Sequence, residues 1–173
     1  TASLPRTDEL VIALVPKASP GLHLESYSLI DGSRAADVFF VQVEIEQGNL
    51  IARGSEAALL IEDAVSRAMV GTMAAGVGSM EACIELCSDY LEQRSQFGQP
   101  LGKFQALQHI AAEMLVTAHN ARSMLYHALS KFHSDRASRS GALASAKLVI
   151  GQAGLMVSRS GIQLHGGYGI TDE

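Results

Sequence analysis

The chain has 173 residues, of which 47% are hydrophobic, and its formal net charge at pH 7 is −5. This length suggests one domain or two small ones, and the apolar fraction is enough for a buried core. The acidic balance without a clustered basic face argues against a nucleic-acid partner, and no apolar run reaches the roughly 18 residues that suggest a membrane span.

The first 50 residues show the pattern of short β-strands. Residues 37–45 (DVFFVQVEI) alternate between apolar and polar, which is typical of a half-buried strand. The apolar residues of that strand share one face: Phe39, Val41, Val43 and Ile45. An apolar run at 11–16, a stretch at 19–26 that begins at a Pro-Gly turn, and a turn signal at Asp31-Gly32 complete a small antiparallel segment. Three strands bury too little apolar surface to be stable alone, so this segment needs a neighbour.

After Gly54 the apolar residues recur every three or four positions, which predicts long helices at about 55–93, 103–133 and 139–164. Long helices with short connections indicate an antiparallel bundle. Such bundles usually have four helices, so the face left by the missing one would be exposed and would favour self-association. The predicted fold class is α+β: a short antiparallel β segment, then a mostly α, up-down helical bundle lacking its last helix.

The helical periodicity also predicts the caps and the buried faces. Ser55 is a plausible N-cap of the first helix, and Asp135 or Ser138 of the third. The core positions of the first two helices are Ile61, Val65, Met69, Met73, Val77, Met80, Ile84, Cys87 and Leu91, then Phe104, Leu107, Ala111, Met114, Ala118, Ala121, Leu125, Leu129 and Phe132. The third helix carries small residues that would allow close backbone approach: Ala144, Ala146, Gly151, Ala153 and Gly154.

Two stretches at helix ends are candidates for ligand binding. In RSQFGQPLGKFQALQH (94–109), Arg94 offers a planar fork of donors suited to phosphate, and Phe97 offers a flat surface for a ring. An arginine at a helix C-terminus followed by a turn is the simpler interpretation. In QLHGGYG (163–169) the glycines either end a helix or present backbone N–H groups to a polar ligand. The stretch lacks the features of a P-loop and of the dinucleotide fingerprint.

Other titratable residues do not form a recognisable catalytic or metal site. Cys83 and Cys87 lack two further ligands at zinc spacing and fit buried thiols of a reducing, cytoplasmic compartment. The six histidines form no metal pair, and His109 and His165 are the least certain of them. Glu62 and Asp63 are adjacent on a helix, so their side chains do not share a face as an acid–base pair would. Taken alone, these residues do not indicate a reaction.

Two motifs in the same order resemble those of the acyl-CoA dehydrogenase family. YLEQRSQFGQPLGKFQALQHIAAEM (90–114) resembles the family's R-x-x-F-G-x-x-[IL]-x-x-[FHY]-Q stretch, and QLHGGYGITDE (163–173) resembles its Q-x-x-G-G-x-G-[FY] turn. By this resemblance, residues 1–52 are the C-terminal part of the family's β-barrel-like middle domain, and residues 53–173 are three of the four helices of its C-terminal bundle. Within the family, the sequence most resembles bacterial members of a small-subunit type.

The resemblance implies an FAD enzyme that dehydrogenates an acyl-CoA between its α and β carbons to give the enoyl-CoA. Electrons would pass to an electron-accepting flavoprotein or its equivalent, and subunits would associate as dimers or tetramers. Arg94, Gln96 and Phe97 would contact the FAD of the adjacent subunit. Residues lining the ADP side of that pocket would be Leu101, Phe104 and Leu107, and those meeting the dinucleotide across the dimer would be Gln163 and Gly167.

The catalytic base is missing from the motifs. Some family members place it directly before an arginine of the first long helix, where this chain has Ser66 before Arg67. The base is therefore expected beyond Glu173, and the chain alone is expected to be inactive. Two alternatives stay open: a non-catalytic partner subunit of a heteromeric dehydrogenase, and a helical assembly scaffold without flavin.

Overall fold

The structure is a computed structural model that describes residues 9–171. It divides into two compact units, Thr1–Asp63 and Ala64–Glu173. The first contains four of the β-strands, and the second contains most of the helical residues and a short β-hairpin. The fold class is therefore the predicted one, short antiparallel strands followed by a mostly helical region, while the predicted domain boundary between residues 52 and 53 stays a prediction.

Four strands lie in the first unit, Val11–Ala13 (β1), Leu22–Ser28 (β2), Arg34–Phe40 (β3) and Leu50–Arg53 (β4). β1 pairs with β4, and β2 pairs with β3, both antiparallel. The β2–β3 hairpin turns at Asp31-Gly32, as predicted. Gly32 has φ 79°. The Asp31 carboxylate accepts hydrogen bonds from the Ser33 backbone N–H at 2.9 Å and from its hydroxyl at 2.7 Å.

The strand predicted at 37–45 is wrong beyond Phe40, where β3 ends. The Val41 N–H donates to the Gly21 carbonyl at 2.8 Å, and Gln42 then takes a left-handed φ of 52°. A left-handed residue breaks the pleat, so the apolar alternation over 41–45 does not continue the ladder. The sequence also gave no sign of β4, because its four residues are too few to show a period.

The three predicted helices are confirmed, with shifted ends. They are Gly54–Gln93 (α1), Gln105–Ser130 (α2) and Arg136–His165 (α3), followed by a 3-10 turn at Gly166–Ile170. α1 therefore begins one residue before the predicted cap Ser55. α3 begins with Asp135 as its N-cap, which accepts from the Ala137 and Ser138 backbone N–H groups.

The core of the second unit lies among the three helices. Buried residues at predicted core positions are Met73, Val77, Met80, Cys87, Leu91, Met114, Ala118, Ala121 and Leu125. The prediction was wrong at Ile61, Val65 and Leu129, which are 40%, 52% and 44% exposed. From Ile61 to Val77, and again from Leu125 to Leu129, the stripe advances by four residues a step. A helical turn has only 3.6 residues, so such steps rotate the stripe around the helix and away from the core.

The close-packed face of α3 differs from the predicted one. Ala146 and Ala153 are buried, but Ala144 is exposed, and a Cβ added at Gly151 or Gly154 would meet nothing within 4 Å. The tight position is Gly161, where an added Cβ would lie 2.8 Å from the Cys83 sulfur. Because α3 carries small residues on every side, its sequence does not identify the face that packs.

One helical segment, Arg136–Ile170, is long and apolar enough to cross a membrane by length and composition. Core helices of bundles pass the same test, so this is weak evidence for a span. Leu143, Val157 and Leu164 of this segment are buried in the core of the second unit. The sequence-based expectation of no membrane span stays a prediction.

Replacing Asp135 by alanine is expected to lower Tm by about 2–4 °C, because it removes the α3 cap. Hydrogen bonds from the Ser138 hydroxyl, the Ser138 N–H and the Ala137 N–H hold the pKa of Asp135 below its ordinary value. A lowered folded-state pKa stabilises the fold above the unfolded pKa, and this stabilisation is lost as pH falls through the folded pKa. Tm measured against pH should therefore converge for the two proteins in acid. An equal difference at every pH would contradict the assignment.

Candidate cofactor-binding site

A short hairpin connects α1 to α2 at one end of the helical unit. Ser95–Gln96 (β5) pairs antiparallel with Gln99–Pro100 (β6). The two turn residues, Phe97 and Gly98, have φ of 54° and 82°, the signs of a type I′ turn. Glycine takes this conformation freely, whereas a bulky residue rarely does, and such strained residues cluster at functional sites.

The turn presents the Phe97 ring to solvent. This side chain is 91% exposed. Below it, the Phe104 ring makes an edge-to-face contact with centroids 6.2 Å apart. An aromatic ring held in a strained turn and left open on its other side is a suitable surface for a planar ligand.

Arg94 joins the hairpin to the glycine-rich turn that follows α3. Its N–H donates to the Tyr90 carbonyl at 2.9 Å, and its own carbonyl accepts from the Leu101 N–H at 2.8 Å, which fixes the backbone. The guanidinium carbon lies 5.5 Å from the centre of the Tyr168 ring. The structure thus brings together two motifs that are far apart in the sequence.

The glycines of QLHGGYG have different roles. Gly166 ends α3 with φ 61°, and its N–H donates to the Ile162 and Gln163 carbonyls. At Gly169 a Cβ would lie 2.7 Å from the Ile162 carbonyl oxygen, so this glycine is required by packing. At Gly167 a Cβ would meet nothing within 4 Å. Its open backbone is available for close approach of a ligand.

Tyr90 and His165 stack on each other beneath these two motifs. Their ring centroids are 4.4 Å apart and the planes differ by 27°. The Tyr90 hydroxyl also donates to the His165 carbonyl at 3.4 Å. Sequence reasoning missed Tyr90 and Tyr168. The available signal was the spacing of Tyr90 from Arg94, which is one helical turn.

The remaining predicted site residues fall into two groups. Gln96 and Gln163 are exposed. Leu101 and Leu107 are half-buried and pack against the helical core. The roles predicted for all eight site residues, including Phe104 and Gly167, stay predictions.

A separate cavity of about 360 Å³ lies between α1 and α2. Its lining is mostly apolar and includes Ile84, Leu91 and Met114, with Glu92 and Gln108 among its polar residues. The Gln108 side-chain amide donates to the Gly102 carbonyl at 2.7 Å. Leu101, Phe104 and Leu107 do not line this cavity.

The thiols do not suggest metal or nucleophilic chemistry. Burial, with a further contribution from the neighbouring Cys83, raises the pKa of the Cys87 thiol to about 11. A neutral buried thiol is a poor nucleophile and a poor ligand. Within residues 9–171 no group of three or more histidine, cysteine or acidic side chains is placed to hold a metal ion.

The groups at this end of the helical unit fit an anionic dinucleotide. Arg94 can donate two parallel hydrogen bonds to phosphate oxygens, Gly167 lets a phosphate approach its amide, and the Phe97 ring can cover a heterocycle. This fit rests on the open glycine, the exposed ring and the nature of the donors.

This fold is a mostly helical region preceded by a short antiparallel β segment. Residues 60–173 match the family model described as acyl-CoA dehydrogenase, C-terminal domain. The match covers more than half of the chain, and the chain therefore belongs to the acyl-CoA dehydrogenase family.

Individual relatives agree in sequence and fold. The chain is 27% identical over 161 residues to glutaryl-CoA dehydrogenase of Desulfococcus multivorans, covering 91% of this chain and 41% of the relative. A solved glutaryl-coenzyme A dehydrogenase complex with glutaryl-CoA superposes with a TM-score of 0.83 at 25% identity, over 91% of this chain and 40% of that one. A variant of the Tcur3481-Tcur3483 steroid ACAD gives 0.74 at 27% identity, over 94% and 45%. The chain thus spans about two fifths of the length of these relatives.

Proposed function

We propose that this chain is part of an FAD-dependent acyl-CoA dehydrogenase that oxidises an acyl-CoA thioester to its enoyl-CoA. The observation that carries the proposal is the contact between Arg94 and Tyr168, which places the hairpin and the glycine turn at one end of the helical unit. Both motifs offer groups that suit a dinucleotide, and the family match covers both.

In this proposal the chain supplies binding groups. Arg94 neutralises and orients a pyrophosphate, Gly167 lets it approach the backbone, and Phe97 covers a ring and excludes water. Bound FAD supplies the acceptor for the β hydride. Gln96 and Gln163 donate or accept hydrogen bonds at the edge of the same surface.

The proton-transfer group lies elsewhere. Glu62 and Asp63 are consecutive on α1 and point in different directions, so they do not form a base and its partner. We place the carboxylate that removes the α proton beyond Glu173. The same proposal includes an electron-accepting flavoprotein, association as a dimer or tetramer, and a cytoplasmic location, which free Cys83 and Cys87 support.

Replacing Arg94 by alanine in the full-length gene product is expected to weaken FAD binding by about 10–100-fold, the loss of one charge-assisted contact. Arg94→Lys should restore part of the affinity, because an ammonium keeps the charge but not the fork. The matched control is Arg159→Ala, which removes an exposed α3 arginine. Flavin absorption after gel filtration and titration of apoprotein with FAD measure the effect.

Two results would contradict this proposal. If the purified wild-type protein shows no flavin bands and reduces no electron acceptor with any acyl-CoA, it is not such an enzyme. If Arg94→Ala retains FAD as well as wild type does, the hairpin is not a cofactor surface. That result would support the alternative of a helical assembly scaffold without flavin.

A second candidate is a non-catalytic partner subunit of a heteromeric dehydrogenase. It is favoured by Ser66 standing before Arg67, where a base would be, and by the likeness to a steroid ACAD whose name gives two components. In that case dehydrogenase activity should appear only when a second, different chain is co-expressed. Activity of the chain's own homo-oligomer would exclude this candidate.

A further inference from the structure

We propose that Tyr90 and His165 form a clamp that sets the separation between Arg94 and the glycine turn, and that FAD affinity depends on it. The two are positioning residues, since they act through Arg94 and Gly167. The inference rests on the proposed function, because the affinity at stake is that for the dinucleotide.

The clamp joins α1 and α3 through two contacts, and a third contact connects it to Arg94. The Tyr90 and His165 rings stack at 4.4 Å. The Tyr90 hydroxyl reaches the His165 carbonyl at 3.4 Å, across 75 residues of sequence. The Tyr90 carbonyl accepts the N–H of Arg94 at 2.9 Å. One tyrosine therefore contacts the residue before the glycine turn and the residue that carries the guanidinium.

His165 is itself held in one orientation. Its Nδ1 lies 2.9 Å from the Gly161 carbonyl oxygen. A carbonyl only accepts, so Nδ1 carries the hydrogen. The Cys87 sulfur lies 3.9 Å from the same nitrogen and packs against the ring edge. With its ring fixed, His165 presents a defined face to Tyr90, and the chain leaves α3 at a defined point.

The position of this exit point matters for the turn beyond it. Gly166 has a left-handed φ of 61°, and the chain then runs through the 3-10 turn to Tyr168, whose ring meets Arg94 at 5.5 Å. A phosphate that contacts both the guanidinium and a glycine amide needs each donor within about 2.7–3.2 Å. A shift of about 1 Å in the turn would therefore break one of the two contacts.

The turn also departs from the family pattern in a way that increases its dependence on the clamp. Where the pattern has an aromatic residue after the last glycine, this chain has Ile170, which is 80% exposed. An exposed side chain does not anchor the end of the turn. Tyr168, inside the turn, provides the aromatic contact, and the stack at His165 fixes the turn at its start.

The test compares FAD dissociation constants of the full-length protein, with Tm measured in parallel. Tyr90→Leu removes the stack and should raise the FAD dissociation constant about tenfold. Tyr90→Phe keeps the stack and loses only a long hydrogen bond, so it should stay within about threefold of wild type. His165→Asn keeps a donor for Gly161 but no ring, and it should behave like Tyr90→Leu.

Ile150→Ala serves as the control for simple destabilisation. Ile150 is buried in the same core but lies roughly 22 Å back along α3 from His165. This variant should lower Tm and keep the wild-type FAD affinity. If Tyr90→Leu does not fold, His165→Asn decides the question in the same assay.

The outcomes separate the clamp from the proposed function. A wild-type protein without FAD affinity overturns the proposed function and the clamp with it. The clamp alone is overturned if the wild-type protein binds FAD and the variants Tyr90→Leu and His165→Asn bind FAD as tightly as Ile150→Ala does. Hydrogen exchange gives an independent readout: the amides of Gly166–Ile170 should exchange faster in Tyr90→Leu and not in Ile150→Ala.

Discussion

Replacing Met114 by alanine is expected to lower the free energy of unfolding of the helical unit by about 2–5 kcal/mol. Met114 is fully buried on α2 and is among the largest side chains in the core with almost no exposed surface. It also lines the cavity of about 360 Å³ between α1 and α2. Truncation to alanine would enlarge this space. The contacts that the Met114 side chain makes would then be lost without replacement by other protein atoms.

Leu115→Ala is the matched control for this change. Leu115 is the next residue of α2, but its side chain is 46% exposed. A half-exposed leucine has less transfer free energy to lose, so we expect a loss of less than about 1 kcal/mol. Denaturant unfolding followed by circular dichroism measures both. Equal losses for the two variants would mean that the packing at Met114 is not as described.

The second large effect is expected at Gly161, where α3 packs against the sulfur atoms of α1. An alanine Cβ there would lie 2.8 Å from the Cys83 sulfur and 3.5 Å from the Cys87 sulfur. Both sulfurs lie on the side of α1 that faces α3, and Cys87 is 2% exposed. We expect Gly161→Ala to be less stable than Gly151→Ala by about 1–3 kcal/mol, the usual cost of overpacking.

Gly151 is the control because it lies on the same helix with nothing within 4 Å of the added Cβ. Both changes gain about 1 kcal/mol of helix propensity, so the difference between them isolates the clash. Adding Cys83→Ala to Gly161→Ala removes the nearer sulfur and should recover part of the loss. If Gly161→Ala is as stable as Gly151→Ala, then α1 and α3 accommodate the added methyl group and the predicted clash does not occur.

Much of the helical unit follows from local pattern. The apolar residues of α1 and α2 recur at helical spacing, and the structure buries Met73, Met80, Met114 and Leu125 as that spacing predicts. The Asp135 cap was also predictable, since an aspartate before a helix satisfies its free N–H groups. Strong periodic patterns such as these predict burial correctly, because the apolar face that the pattern defines is the face that packs into the core.

Weak or competing patterns were decided by contacts distant in sequence. The alternation in DVFFVQVEI predicted a strand to Ile45, but pairing ends where Val41 bonds to Gly21 and Gln42 turns left-handed. The small residues of α3 gave no preferred face, and only packing against Cys83 and Cys87 identifies Gly161 as the tight position.

The site shows the same division. The sequence by itself determined the three helices, the Asp135 cap, and two motifs whose residue types suit phosphate and a ring, because those depend on local spacing and chemistry. It could not show that Arg94 lies beside Tyr168, or that Tyr90 stacks on His165, because the two members of each pair belong to segments far apart in the sequence. Only the tertiary structure decided those contacts, since side chains separated by some 75 residues meet only when the helices that carry them are packed.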